Sequence, residues 1–389
     1  MNYETLNWLA PQCPTPMYVF DIAVLKERIS YLRSHLPEGT GICYAIKANT
    51  FILKEIADWV DRFEVCSPGE GAICEQLGLP QEKLVISGVY KTPTFIQHLV
   101  STMPHIGHYT VESMEQFRLL EELAWHYKCR LPVFLRLTSG NQFGLDESDV
   151  RSIISRAAGV LDIQGLQYFS GTQKHSLKKL KRELDYLDGF MQSLQEDYDF
   201  RTNELEFGPG LRVCYFQDEE WNEEEFLSAF SEILNNMAYR TKITLELGRS
   251  IAASCGTYLS RVVDAKRNKG QNYAILDGGI HHLVYYGQSM AMRIPSYMLL
   301  PARSGAAENW NLFGSLCTVN DILVKQLPVA DLTVGDLFAF ENTGAYCMTE
   351  GISLFLSRDL PGVSLLMEDS TLHPVRPATP TSPLNTPCY

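Results

Sequence analysis

The stretch Gly41-Ile42-Cys43-Tyr44-Ala45-Ile46-Lys47-Ala48-Asn49 places a lysine at the end of an apolar run. The run from Gly41 to Ile46 has the unbroken hydrophobicity of a strand buried on both faces. Taking an ammonium group out of water is costly. A lysine at this place therefore either returns its head group to solvent or has a chemical use. Burial would lower the pKa of its amine and make it a nucleophile, able to form a Schiff base with an aldehyde cofactor. These nine residues alone leave both readings open.

Further apolar or β-branched runs follow at 62–66, 83–87, 106–111, 131–138, 162–169, 204–207 and 242–247. Between them lie stretches with apolar residues at helical spacing, among them 113–127, 176–195 and 223–236. Eight strands alternating with helices predict an α/β fold, the (β/α)8 barrel. A doubly wound sheet is the alternative, but no strand leads into a Gly-x-Gly-x-x-Gly turn. After about residue 254 strand-like runs at 258–265, 273–276, 316–319, 337–340 and 352–356 alternate with Gly, Pro and Asn turns, which predicts a second, mostly β domain. The expected division is a barrel over 22–253, a β domain built from 1–21 and 254–368, and a flexible tail rich in Pro, Thr and Ser over 369–389.

Composition excludes several classes of function. A net charge of −13 makes general nucleic-acid binding electrostatically unfavourable. The hydrophobic share of 45% supports a large core and argues against a disordered chain. None of the ten cysteines forms a Cys-x-x-Cys pair, and their apolar or helical settings suit a reducing compartment. No run of about 18 apolar residues or basic-then-apolar leader is present, so a cytoplasmic protein without a membrane span or signal peptide is expected.

In such a barrel the active site lies at the C-terminal ends of the strands. Lys47 ends the first, Glu64 and Ser67 flank the end of the second, and Arg136 lies in the fifth. Gly171 and Thr172 follow the sixth, Gly208-Pro209-Gly210 the seventh, and Glu246-Leu247-Gly248-Arg249 end the eighth. Glycines and a hydroxyl there let backbone N–H groups approach a phosphate. A carboxylate at 246 can keep a pyridinium nitrogen protonated. Each feature alone is equally a turn or a surface ion pair; lysine, cradle and carboxylate in this order are specific in combination.

On these residues the chain resembles the fold-type III pyridoxal-phosphate enzymes, most closely the branch of diaminopimelate and ornithine decarboxylases, from about Thr15 to Pro361. Tyr44-Ala45-Ile46-Lys47-Ala48-Asn49 is similar to that branch's cofactor-lysine motif, and Phe63-Glu64-Val65-Cys66-Ser67-Pro68-Gly69-Glu70 to its second-strand motif, with Glu64 where Asp is usual. Phe143-Gly144, Glu246-Leu247-Gly248-Arg249, Cys317-Thr318-Val319-Asn320-Asp321 and Gly344-Ala345-Tyr346 match further motifs, Leu247 replacing a proline. One departure is large. The His-x-His-x-Gly-Ser run of the family reads Gln167-Tyr168-Phe169-Ser170-Gly171-Thr172 here, so Phe169 takes the ring-stacking place of a histidine.

The resemblance implies an alanine racemase-like barrel and β domain, pyridoxal 5'-phosphate as cofactor, and a homodimer with shared active sites. Lys47 would hold the cofactor as a Schiff base, Glu246 would pair with the ring nitrogen, and Cys317 of the other subunit would donate a proton. Gly208, Gly210, Thr172, Gly248, Arg249 and Tyr346 would hold the phosphate; Glu64 and Arg136 would complete the cofactor site. The implied reaction removes the α-carboxylate of an amino acid or derivative, in amino-acid or secondary metabolism. An amino-acid racemase and a non-catalytic pyridoxal-phosphate-binding homeostasis protein are alternatives. Glu246 argues against the racemase, which sets an arginine against the ring nitrogen, and the added β domain argues against the single-barrel binding protein.

Thr318 stands where diaminopimelate and ornithine enzymes carry an acid for a distal ammonium, so those substrates are disfavoured. Thr318, Asp321, His282 and Tyr286 are candidate substrate contacts. Adjacent His281 and His282 would project to opposite sides of a strand, so no metal site is expected. The segment Asp277-Gly278-Gly279-Ile280-His281-His282 is similar to enzymes acting on modified or carrier-tethered amino acids. The basic run of Lys174, Lys178, Lys179, Lys181 and Arg182 is the candidate docking site for an acidic carrier protein. The competing reading is an ordinary solvated helix face.

Overall fold

The computed structural model describes residues 1–156 and 159–388. They form two compact units, one of Ile29–Arg212 with Asn222–Ser250, the other of Met1–Arg28 with Val213–Trp221 and the chain from Ile251 onward. The first strand, β1 (Met17–Asp21), precedes the barrel. The barrel strands are β2 (Gly41–Ala45), β3 (Arg62–Val65), β4 (Leu84–Ile86), β5 (His108–Val111), β6 (Leu131–Arg136), β7 (Leu161–Phe169), β8 (Glu204–Gly208) and β9 (Lys242–Leu247). Each pairs in parallel with the next, and β2 pairs with β9, which closes the ring.

The helices between them start where local chemistry dictates. Ser67, Ser113 and Ser176 each accept a hydrogen bond from a first-turn backbone N–H, and Pro68 occupies the first turn after Ser67. Inside the barrel Cys43, Val85 and Phe134, from alternate strands β2, β4 and β6, form one cluster, the layered filling of such barrels. The filling is unusually polar. Arg62 on β3 makes a two-pronged pair with Glu204 on β8, at 2.5 and 2.8 Å, and lies over the Phe134 ring. Glu206, fully buried on β8, accepts a hydrogen bond from Gln167 Nε2 at 2.7 Å.

The remaining strands belong to the other unit: β10 (Gly256–Asn268), β11 (Gln271–Leu276), β12 (Tyr297–Leu300), β13 (Glu308–Phe313), β14 (Ile322–Val329), β15 (Leu337–Phe340), β16 (Gly362–Leu366) and β17 (Leu372–Arg376). With β1 they make a nine-stranded sheet in the order β14-β13-β11-β10-β1-β16-β17, with β15 on β10 and β12 on β15. Leu6, Leu9, Val19, Leu259, Leu337 and Leu366 pack into its core.

Several expectations are corrected. The run 316–319 is a loop rather than a strand, because the chain there turns around the Asp321 carboxylate. The run 352–356 is turn and 3-10 helix; Ile352, Leu354, Phe355 and Leu356 stay 42–51% exposed, so it has no buried face to define a strand. Val213–Trp221, expected in the barrel, groups with the β unit. The segment after Asp369, expected to be a flexible tail, contains β17, which pairs antiparallel with β16. Pro374 is tolerated there because β17 ends the sheet order. The final residue of that segment, Tyr389, lies outside the described residues.

Burial pushes the Glu206 carboxyl up to about 7. Between the ordinary carboxylate range and that value the folded chain holds a proton that the unfolded chain has lost, so this group's contribution to stability falls as pH rises. Glu206→Gln removes the effect. In urea denaturation the stability of the variant relative to the parent should increase by about 3 kcal/mol between pH 4 and pH 8. A difference that stays constant over that range would show that folding leaves the Glu206 carboxyl unshifted.

Candidate active site

Strand β2 stops at Ala45, and Ile46–Ala48 forms a single 3-10 turn. Tyr44 supports it by donating its hydroxyl to the Asn49 carbonyl at 3.1 Å. The turn lifts Lys47 onto the barrel rim, where its side chain is 39% exposed. The sequence left open whether this lysine returns to solvent or is put to chemical use; the residues on either side of it are buried, while its own side chain keeps partial exposure. Lys47 Nζ lies 2.5 Å from Glu64 Oε2, 3.5 Å from Glu246 Oε1 and 3.7 Å from Cys66 Sγ.

The two carboxylates are nearly inaccessible to solvent and differ in state. Burial alone would raise Glu64, but the Lys47 ammonium overrides it and holds the group below the ordinary carboxylate range. Burial, and then the charge on Glu64, push Glu246 above that range. Two carboxylates against one ammonium settle with one ionised and the other holding a proton.

Around them the loops after β7 and β8 run together. A Cβ at Gly210 would lie 2.1 Å from the Gly171 carbonyl oxygen and 3.1 Å from Thr172 Cα, so only bare backbone fits. Lys174 N donates to Gly210 O at 2.8 Å and fastens the two loops. The Phe169 ring covers Gly208, its partner across the β7–β8 ladder. Gly248 and Arg249 directly follow β9, and Arg249 is buried. Lysine amine, paired carboxylates and a glycine-walled cradle suit an aldehyde cofactor with a ring nitrogen and a phosphate.

Arg136 ends β6 and donates Nη1 to Glu112 Oε2 at 3.0 Å, with its guanidinium 4.8 Å over the Phe143 ring. Glu112 follows β5, and Lys91 follows β4. Both are buried, and sequence reasoning missed both. The signal was available: the ends of the third and fourth barrel strands were the two to which no residue had been assigned.

The remaining candidates lie on the β unit. Cys317 is exposed and Thr318 partly so. Asp321 is fully buried, and its carboxylate accepts from the backbone N–H of Ile280 at 2.8 Å and of Leu316 at 2.7 Å. Gly279 and Gly314 pack so closely on it that a Cβ at either would collide. Asp321 therefore ties the loop that presents Cys317 and Thr318, a correction to its reading as a substrate contact. His282 is likewise occupied, Nδ1 with the Tyr258 hydroxyl at 3.0 Å and Nε2 with the Asp359 carbonyl at 2.8 Å. Tyr286 is exposed. Tyr346 holds φ of +64°, uncommon for a large side chain, with its carbonyl accepting from Thr349 N and Glu350 N. Of the basic run, Lys174 is buried on Glu183 at 2.7 Å, whereas Lys178, Lys179, Lys181 and Arg182 are exposed, Lys181 in a pair with Asp185. Among the described residues no group of three or more His, Cys, Asp or Glu side chains is placed to hold a metal ion, and no helix is long and apolar enough to cross a membrane.

Comparison with known proteins agrees with this geometry. The L-glutamyl-[BtrI acyl-carrier protein] decarboxylase of Niallia circulans is 26% identical, aligned over 97% of this chain and 94% of its own length. The diaminopimelate decarboxylase of Vibrio cholerae is 27% identical over 88% and 85%. The 2-[(L-alanin-3-ylcarbamoyl)methyl]-2-hydroxybutanedioate decarboxylase of Staphylococcus aureus is 26% identical over 90% and 93%. The fold is shared with the diaminopimelate decarboxylase of Helicobacter pylori crystallised with L-lysine, at a TM-score of 0.83, 22% identity and 97% coverage of both chains. The sequence model of the family described as pyridoxal-dependent decarboxylase, C-terminal sheet domain, matches residues 17–344, and the chain belongs to that family of pyridoxal-phosphate-dependent amino-acid decarboxylases.

Proposed function

We propose that this enzyme removes the α-carboxylate of an amino acid or amino-acid derivative without a distal ammonium group, at a site organised by Lys47. The observation that carries the reading is the meeting of Lys47, Glu64 and Glu246 beside the glycine-walled loops. Pyridoxal phosphate, when bound, supplies the electron sink that makes loss of carbon dioxide feasible. Lys47 would hold its aldehyde carbon. Glu246, whose burial favours the protonated form, would face the ring nitrogen and keep a proton there. Glu64 keeps a negative charge beside Lys47 and sets the charge balance of the pair. Phe169 would cover the ring, and Gly171, Thr172, Gly208, Gly210, Gly248 and Arg249, with Tyr346, would surround the phosphate.

The reading includes a homodimer in which the partner subunit's Cys317 returns a proton to the α-carbon. Exposure of Cys317 on a loop tied by Asp321 supports such a use. Val319, Met290 and Met292 on the same unit are 82%, 77% and 67% exposed, apolar side chains that a subunit contact would cover. The neutral Thr318 argues for a substrate whose far end carries no ammonium. The name of the Niallia circulans relative adds a carrier-tethered amino acid to the candidate substrates.

Two experiments test these statements. Purified protein supplied with pyridoxal phosphate should show a visible absorbance band and release carbon dioxide from some member of a panel of amino acids and their thioester-tethered forms. Lys47→Ala should lose both, with turnover down by roughly three orders of magnitude or more. A band that survives the substitution overturns the role of Lys47, and a band with loss of optical activity but no carbon dioxide favours racemisation. Neutralising Lys178, Lys179 and Lys181 together should slow turnover of a carrier-bound substrate several-fold at low salt while sparing its free counterpart. Equal turnover of both forms would remove the carrier-docking role of this helix.

A further inference from the structure

Three successive strand ends of the barrel contribute a buried cation, a buried anion and a second buried cation. Lys91, after β4, directs Nζ to three acceptors: Gly88 O at 2.8 Å, Thr110 Oγ1 at 3.1 Å and Gln116 Oε1 at 3.1 Å. Those acceptors saturate the three donors of an ammonium group. Glu112 Oε1 lies 3.8 Å from the same nitrogen, and Glu112 Oε2 takes Arg136 Nη1 at 3.0 Å. Gln116 also accepts from Glu112 N, at 3.0 Å, so Lys91 and the Glu112 backbone share one amide oxygen. All three charged side chains are at most 8% exposed.

A surface ion pair of this kind would mean little. Buried charges are a different matter, because removing one member leaves its neighbour unpaired in a poorly polar setting. Arg136 has a carboxylate on one side and the Phe143 ring on another, and its other guanidinium N–H groups make no hydrogen bond among the described residues. Its orientation is therefore set by Glu112, whose other oxygen, Oε1, has no hydrogen-bond partner among the described residues and faces the Lys91 ammonium at 3.8 Å, so that Lys91 acts on it through charge. Lys91 lies in the loop Val89-Tyr90-Lys91 between β4 and the helix Pro93–Thr102.

We propose that Lys91 is a positioning residue of the cofactor site: it fixes the Glu112 carboxylate and, through it, the free edge of the Arg136 guanidinium at the barrel rim. The proposal rests on the reading of Arg136 as a cofactor residue and extends it two residues deeper. Burial lowers the Lys91 ammonium to about 8 despite the attraction of Glu112, so at neutral pH the ion is charged. The Glu112 carboxylate is thus bracketed by two positive charges, Lys91 on Oε1 and Arg136 on Oε2.

The test is a double-mutant cycle on full-length protein, read as the dissociation constant for pyridoxal phosphate from its visible band, with far-UV circular dichroism and Tm to report folding. Lys91→Met and Arg136→Met should each weaken binding roughly tenfold or more, and the double variant should be no weaker than the worse single. Lys91→Arg, which retains the cation, should recover part of the loss. If Lys91→Met does not fold, Glu112→Gln with Arg136→Met asks the same question from the middle of the chain. Folded Lys91→Met with parental affinity and band position, or losses that multiply in the double variant, would overturn the proposal. The function proposed above fails separately: parental protein that binds the cofactor with these couplings, yet releases no carbon dioxide from any substrate, removes that reading and leaves Lys91 in its role. Parental protein with no band removes both.

Discussion

Pairing of β2 with β9, in a register that sets Cys43 against Glu246 and Tyr44 against Leu247, is the constraint on which the site depends. It closes the barrel. It also brings the turn at Lys47 alongside a carboxylate 199 positions later in the chain. The neighbouring β2–β3 ladder sets Ala45 against Glu64 and supplies the second carboxylate from the other side. Lys47 thus meets one acid from each flanking strand, and no loop closure is needed to assemble the three.

That arrangement places like charges close together, and the barrel interior manages them by position. Glu64, next to the ammonium, stays ionised; Glu246 and Glu206, farther from a compensating cation, are pushed towards the protonated form by burial. Arg62 absorbs Glu204 in a two-pronged pair and moderates Glu206 from 3.9 Å. An apolar interior would pack as well and cost less. Arg62 and Glu204 begin β3 and β8, at the opposite end of the strands from the site, whereas Glu64 and Glu246 lie towards the C-terminal ends, where protonation states that differ between adjacent acids have a chemical use.

Much of this was legible in the sequence, for reasons that differ by residue. The eight barrel strands are short unbroken apolar runs between amphipathic helices, so their order and extent could be read to within a few positions. The β unit could not be read so well. In β13 (Glu308–Phe313) and β14 (Ile322–Val329) buried and exposed residues follow no strict alternation, and the ladder between them shifts register at two places. The run 316–319 looked like a strand because Leu, Cys, Thr and Val favour one, but the long-range pull of Asp321 on Ile280 N and Leu316 N decides its shape. Lys91 escaped for a related reason. Its acceptors, Gly88, Thr110 and Gln116, come from separated segments, and no local pattern shows an ammonium turning inward to meet them.

The exchange of histidine for Phe169 changes the electrostatics of the site more than its shape. A phenyl ring on Gly208 preserves a flat cover, but it neither titrates nor donates a hydrogen bond. Protonation around a ring placed there would then be governed by the acids on the strands, Glu64 and Glu246, with no imidazole able to share the load. The same logic applies to Thr318, where a neutral hydroxyl replaces an acid and leaves no charge to select a distal ammonium. Both changes would, in the proposed function, withdraw charge from the surroundings of the substrate, while the strand-borne cluster of Lys47, Glu64 and Glu246 is retained. Under the proposed reading, selectivity would then rest on shape and hydrogen bonding, which suits a substrate whose far end is an amide, an acyl link or a carrier rather than an ammonium.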